Sequence, residues 1–177
     1  MPGGVINSLE VGCGRGTISE YLWEKGAEVM LIDNDAGAVE IAQDNFKYRM
    51  FDNDIFLDDV LDISLKDNTF DLVFSTGLAE HIEPKDVAKF YQEQFRVLRP
   101  GGLIISLNIP RKFSIQFLNI FKKSDYVRSG LSFKEYSGAM FQAGFPYTRV
   151  VNVNPFPLFT NIPRFFEFPL VIIFMGI

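Results

Sequence analysis

Apolar residues follow two rhythms along this chain, and the rhythms take turns. Val5 to Val11 is a short, largely apolar run, Thr17 to Lys25 has helical spacing and stops at Gly26, and Glu28-Val29-Met30-Leu31-Ile32-Asp33 is apolar again. Short apolar and β-branched runs read as strands, and stretches with a period near 3.6 read as helices. Phe70 to Phe74 carries one acid in an otherwise apolar run, the pattern of a strand covered on both faces. Pro84 and Asp86 predict a helix start, since proline suits a first turn and an acid there complements the helix dipole. That helix ends before Pro100, and Gly101-Gly102 turns the chain into Leu103-Ile104-Ile105. Ser132-Phe133-Lys134-Glu135 has the form of a capping box opening a helix to about Ala143, followed by strands at Thr148 to Val153 and Leu170 to Phe174. Strands alternating with helices predict an α/β fold, a mostly parallel sheet with helices on both faces.

The first strand runs into Leu9-Glu10-Val11-Gly12-Cys13-Gly14-Arg15-Gly16-Thr17. Glycines at alternate positions let the backbone approach a ligand closely, and the free N–H groups of the following helix can face a carboxylate or phosphate. Thr17 stands where a dinucleotide fingerprint places its third glycine, which disfavours a nicotinamide or flavin site. Asp33 lies 21 residues beyond Gly12. In a strand-helix-strand unit that separation places its carboxylate at the end of the neighbouring strand, in reach of both hydroxyls of a ribose. Capping of the next helix, together with Asp35, is the other role open to it, and the two are compatible.

With these residues the chain resembles the class I, Rossmann-like S-adenosylmethionine-dependent methyltransferases. Glu10 to Gly16 is similar to the family's first motif, in which the acid and the glycine loop hold the methionine end of the cofactor. Asp33 resembles the ribose-binding acid, and Leu57-Asp58-Asp59-Val60, with Asp59 12 residues ahead of Asp71, the adenine-contacting segment. Phe70 to Ile82 looks like the fourth strand and the loop facing the reacting methyl, and Phe95 to Ile105 like the helix, Pro-Gly-Gly turn and fifth strand. The resemblance covers about residues 5 to 150. It implies a seven-stranded sheet whose last strand is antiparallel, S-adenosylmethionine as cofactor, and cofactor contacts from Glu10, Gly12, Cys13, Gly14, Gly16, Asp33, Asn34, Asp59, Val60, Ser75, Thr76 and Gly77. The helices that family members carry ahead of the first strand are not expected here, because the strand begins within about five residues. A truncated fragment or a methyltransferase-like binding module without turnover therefore stays open beside the enzyme.

Asp59 near a strand end suits the exocyclic amine of an adenine, and the backbone N–H beside Val60 suits a ring nitrogen. His81 is the only histidine and, with Glu80, is expected near the methyl; it is the sole candidate for a catalytic base, against the alternative that it only hydrogen-bonds its loop. Cys13 is the only cysteine, so no internal disulfide forms, and a small residue packed at the ligand is its simplest reading. No metal site is expected: cysteine or histidine pairs are lacking, and the Asp52 to Asp62 acids do not follow calcium-loop spacing.

With 177 residues, 47% apolar and 22% charged, the chain fits one domain. Residues 5–108 are expected to form the cofactor-binding core, 109–130 a substrate-covering insertion with Arg111 and Arg128 available to an acidic group, and 131–177 a terminal helix and strands. The net charge of −5 argues against nucleic acid as acceptor and leaves a small molecule. Phe156, Phe159, Phe165 and Phe166 pack on the sheet edge or offer a surface to a lipid-like substrate, a membrane or a partner subunit. No amino-terminal leader pattern is present in these residues, so a cytoplasmic location is expected.

Overall fold

The computed structural model describes residues 4–47, 54–108, 131–149, 151–153, 168–170 and 172–173. Five strands, β1 (Asn7–Val11), β2 (Glu28–Asp33), β3 (Ile55–Leu57), β4 (Phe70–Thr76) and β5 (Leu98–Leu107), run parallel in the order β3-β2-β1-β4-β5. Two short strands, β6 (Val151–Val153) and β7 (Phe168–Leu170), pair with each other as a separate antiparallel ribbon. A last one, β8 (Ile172–Ile173), lies antiparallel against β5. The expectation of a seven-stranded sheet is corrected: among the described residues the main sheet has five parallel strands and the short β8. β-branched residues mark Val151–Val153 as a strand, but a residue's propensity carries no information about which strand it pairs with.

Alternation along the strands divides the core in two. Val29 and Leu31 face one side, where Cys13, Val39, Ala42, Phe46 and Ile55 form an apolar cluster under α1 (Thr17–Glu24) and α2 (Ala36–Phe46). Ile32, Leu9, Val11, Val73 and Ile104 face the other, packed with Phe90, Tyr91, Tyr136 and Met140 of α3 (Val87–Val97) and α4 (Phe133–Ala143). The capping box of α4 is formed as expected, with the Ser132 N–H donating to Glu135 Oε2 at 2.7 Å and the Glu135 N–H to Ser132 Oγ at 3.4 Å. α3 starts three residues later than Pro84, which lies in the turn ahead of the helix; Asp86 takes the cap position without a side-chain bond to the helix.

Leu98 pairs with Phe70, and the regular register resumes only where Leu103 pairs with Leu72. Arg99 to Gly102 bulge out between them, with Gly101 at φ +79°. Arg96 of α3 ties down the connection between β3 and β4. Its guanidinium donates to the carbonyls of Ile63 (2.5 Å) and Leu65 (2.8 Å), to Asp67 Oδ1 (2.6 Å) and to Glu93 Oε2 (2.7 Å). Glu93 in turn accepts the Ile63 N–H at 2.9 Å, and the Arg96 bond holds its carboxyl below the ordinary range. The expected insertion 109–130 and the aromatic stretch 156–166 lie outside the described residues. Among the described residues, no helix is long and apolar enough to cross a membrane.

Candidate cofactor site

The three glycines after β1 all have positive φ, between +52° and +71°, yet they meet different surroundings. A Cβ at Gly12 would stand 2.5 Å from Leu78 Cδ2, and one at Gly16 2.7 Å from both Leu31 Cδ2 and Phe46 Cε2. At Gly14 nothing lies within 4 Å. Gly12 thus admits the loop after β4, Gly16 lets α1 close onto the sheet, and Gly14 alone leaves bare backbone toward open space.

Asp33 at the end of β2 joins this loop to the next. Its Oδ2 accepts the Gly14 N–H at 3.0 Å and its Oδ1 the Asp35 N–H at 3.0 Å. Capping of α2 itself falls to Asp35, which accepts from the Gly37 N–H at 2.8 Å. Beyond Asp33, at the carboxyl ends of β2 and β3, lies an open cavity of about 430 Å³ lined by Asn34, Leu57, Asp58 and Asp59. Asp58 spends its carboxylate on the Asp59 N–H and on Ser64, while Asp59 Oδ1 accepts the Leu61 N–H.

Glu10 is not turned to this opening. It is 2% exposed, and its Oε2 accepts the Ser19 hydroxyl at 2.6 Å and the Ser19 N–H at 3.3 Å. The N-cap of α1 is Gly16, which has no side chain, so Glu10 satisfies a first-turn N–H from the neighbouring strand. Burial raises its carboxyl to about 7, with the Asp33 charge adding in the same direction and the Ser19 bonds opposing. Burial, then the charges of Asp33 and Glu10, push the Cys13 thiol up to about 12, so it stays protonated near neutral pH.

Of the remaining expected residues, Val60 and Ser75 have their side chains in the interior, so neither faces the opening. Thr76 and Gly77 are half-buried at the end of β4, where the Gly77 N–H donates to the Leu107 carbonyl at 2.8 Å. A 3-10 turn, Ala79–His81, follows, with Glu80 buried and His81 exposed. The structure therefore gathers Gly12, Cys13, Gly14, Asp33 and Leu78 at the glycine loop, and Asn34 and Asp59 at the cavity beside it. Two contributors were not singled out as cofactor contacts in the sequence: Leu78, which lies in the loop after β4 without a motif of its own, and Leu57, which lies in the expected adenine-contacting segment and is 60% exposed opposite Asp33.

Residues 9–106 match the model of a methyltransferase domain. The chain belongs to that family. The cofactor of this methyltransferase domain is S-adenosylmethionine. The domain is 30% identical over 123 residues to a ubiquinone biosynthesis O-methyltransferase of Rhizobium etli, covering 70% of this chain and 49% of that protein. It is 36% identical over 107 residues to a chloroplastic tocopherol O-methyltransferase of Arabidopsis thaliana, covering 55% and 28%. A solved SAM-dependent methyltransferase of Methanosarcina mazei shares the fold, with a TM-score of 0.74 at 18% identity over 96% of this chain and 91% of the other. The chain spans about half the length of the ubiquinone-biosynthesis relatives.

Proposed function

We propose that this chain transfers a methyl group from S-adenosylmethionine to a small molecule bearing a hydroxyl group. The observation that carries the reading is the join of Gly14 to Asp33, 3.0 Å apart beside the cavity of Asn34 and Asp59. The residues present fit the cofactor. A side chain at Gly14 would meet nothing within 4 Å, so with glycine there a ligand can approach the turn closely. Asp33 has the acceptor oxygens a ribose needs, and Asp59 beside the apolar Leu57 suits an amine-bearing ring. We assign Gly12, Cys13, Gly14, Asp33, Asn34, Leu57, Asp59, Thr76 and Gly77 to its binding. Glu10 and Gly16 act behind them by holding α1, and Val60 and Ser75 act through backbone alone.

When bound, S-adenosylmethionine supplies a methyl group on a positively charged sulfur. What the chain contributes is alignment of the acceptor, worth on the order of 7–11 kcal/mol of a barrier when reacting groups are held in line. The exposed His81 imidazole is the candidate to take the proton of the acceptor hydroxyl. The names of the two O-methyltransferase relatives support oxygen as the accepting atom.

Calorimetry with S-adenosylmethionine and S-adenosylhomocysteine tests the cofactor, with Asp33→Ala as control. Saturable binding lost in the variant is expected, followed by transfer of labelled methyl to members of a panel of small phenols and alcohols. A folded wild-type chain that binds neither compound overturns the reading.

A further inference from the structure

Behind the carboxyl ends of β4 and β5, three buried side chains close a ring of hydrogen bonds. Tyr91 of α3, Ser106 of β5 and Asn108 just past it are at most 3% exposed. The Asn108 amide nitrogen donates to the Tyr91 oxygen at 3.0 Å, and the Ser106 hydroxyl donates to the Asn108 amide oxygen at 3.1 Å. The Tyr91 and Ser106 oxygens lie 3.1 Å apart. Because the Ser106 proton is committed to Asn108, Tyr91 donates to Ser106, and the three bonds run the same way round. Ser75 Oγ of β4 lies 3.3 Å from Ser106 Oγ and by the same accounting donates to it. Burial pushes the Tyr91 phenol well above its ordinary range, so the ring keeps its protons across neutral pH.

A satisfied polar ring adds little net stability over an apolar set of the same shape. What it adds is a single arrangement of the elements that carry it. Those elements carry the segment that follows β4 at the carboxyl end of the sheet. Ser75 leads into Thr76 and Gly77; Leu78 then seats on Gly12, and Glu80 Oε1 lies 3.8 Å from where a Cβ on Gly77 would stand. We infer that Tyr91, Ser106 and Asn108 are positioning residues for methyl transfer, fixing the segment 75–81 against the glycine loop and so aligning the acceptor without touching it. The inference rests on the methyltransferase reading.

Tyr91→Phe removes one hydroxyl from the ring, and Ser75→Ala, a milder change, removes its outer member should the first variant not fold. Each is compared with wild type by amide hydrogen exchange, by calorimetry with S-adenosylhomocysteine, and by KM and kcat for the first hydroxyl acceptor the wild type turns over. The amides of 76–81 are expected to exchange about tenfold faster while those of β2 and α2 keep their rates. The acceptor kcat falls about tenfold, as misplacement of the reacting groups requires, while the affinity for S-adenosylhomocysteine falls less, because most of its assigned contacts lie outside 76–81. Uniformly faster exchange, unchanged exchange at 76–81, or a loss of S-adenosylhomocysteine affinity as large as the loss of kcat overturns the inference. Failure of the wild type to bind S-adenosylhomocysteine sinks the methyltransferase reading instead, and the exchange measurement, which needs no ligand, still decides whether the ring holds the segment.

Discussion

Asp33 Oδ2 accepts the Gly14 N–H at 3.0 Å, so the acid that ends β2 is tied to the turn that leaves β1. Two features separated by 19 residues are thereby one structural unit. Asp33→Ala is expected to lower S-adenosylhomocysteine affinity at least about 100-fold. It should also cost about 1–3 kcal/mol of stability, since the Gly14 and Asp35 N–H groups lose a charged acceptor. Calorimetry reads the first effect and urea unfolding the second; an affinity loss without any stability loss contradicts the geometry.

Gly14→Ala and Gly16→Ala separate binding from folding. At Gly14 only the left-handed backbone opposes a side chain, a cost of about 1–2 kcal/mol, and the added methyl projects into open space. At Gly16 the same backbone cost is joined by overlap with Leu31 and Phe46, worth about 1–3 kcal/mol more. Thermal unfolding should rank Gly16→Ala well below Gly14→Ala, whereas Gly14→Ala alone should fold well and bind S-adenosylhomocysteine weakly.

Glu10 gives the domain a pH-dependent stability. Its carboxyl stands at about 7 when folded, against an ordinary value of 4.5, so the folded state holds the proton more tightly than the unfolded chain. The resulting contribution is complete below about pH 4.5 and is lost as pH rises through about 7. It amounts to about 3 kcal/mol from the size of the shift. Other carboxylates add slopes of their own, so the measurement is the difference between wild type and Glu10→Gln: the slope between pH 5 and 8 should flatten in the variant, and equal slopes would refute the assignment.

Much of this was legible because it is local. The strand Glu28 to Asp33, the stop at Gly26 and the Ser132 capping box depend on neighbours in sequence and formed where the pattern placed them. The glycine turn was legible too, but not the division of labour within it. Which glycine meets Leu78, which meets Phe46 and which meets nothing is decided by residues 30 to 66 positions away. The partner of Glu10 was illegible for the same reason, as its bond to Ser19 exists only once α1 folds back on β1. The strand count failed at β6 and β7: the pattern marks a strand at Thr148 to Val153 without its partner, and Phe168–Leu170, which contains Pro169, was not marked as a strand.

Arg96→Met tests the least legible interaction. The change retains the apolar stem but leaves the Ile63 and Leu65 carbonyls and Glu93 without their donor. A loss of about 2–4 kcal/mol in urea unfolding is expected from breaking so many charge-assisted bonds at once. Binding of S-adenosylhomocysteine should weaken less than tenfold, because Asp33 and Asp59 keep their own hydrogen bonds; a larger loss there would mean that the β3–β4 connection shapes the cavity directly.

The bulge at Arg99 to Gly102 sets Leu103 and everything after it free of the helix that precedes it. Strand register on the carboxyl side is fixed by pairing with β4 from Leu72 onward, while Gly101 has open space around it at the opposite end of the sheet from the cofactor cavity. Extra residues between Pro100 and Gly101 need only lengthen the bulge. A fluorescent reporter or an affinity handle can be threaded into the chain at that point, leaving the chemistry at the far edge undisturbed.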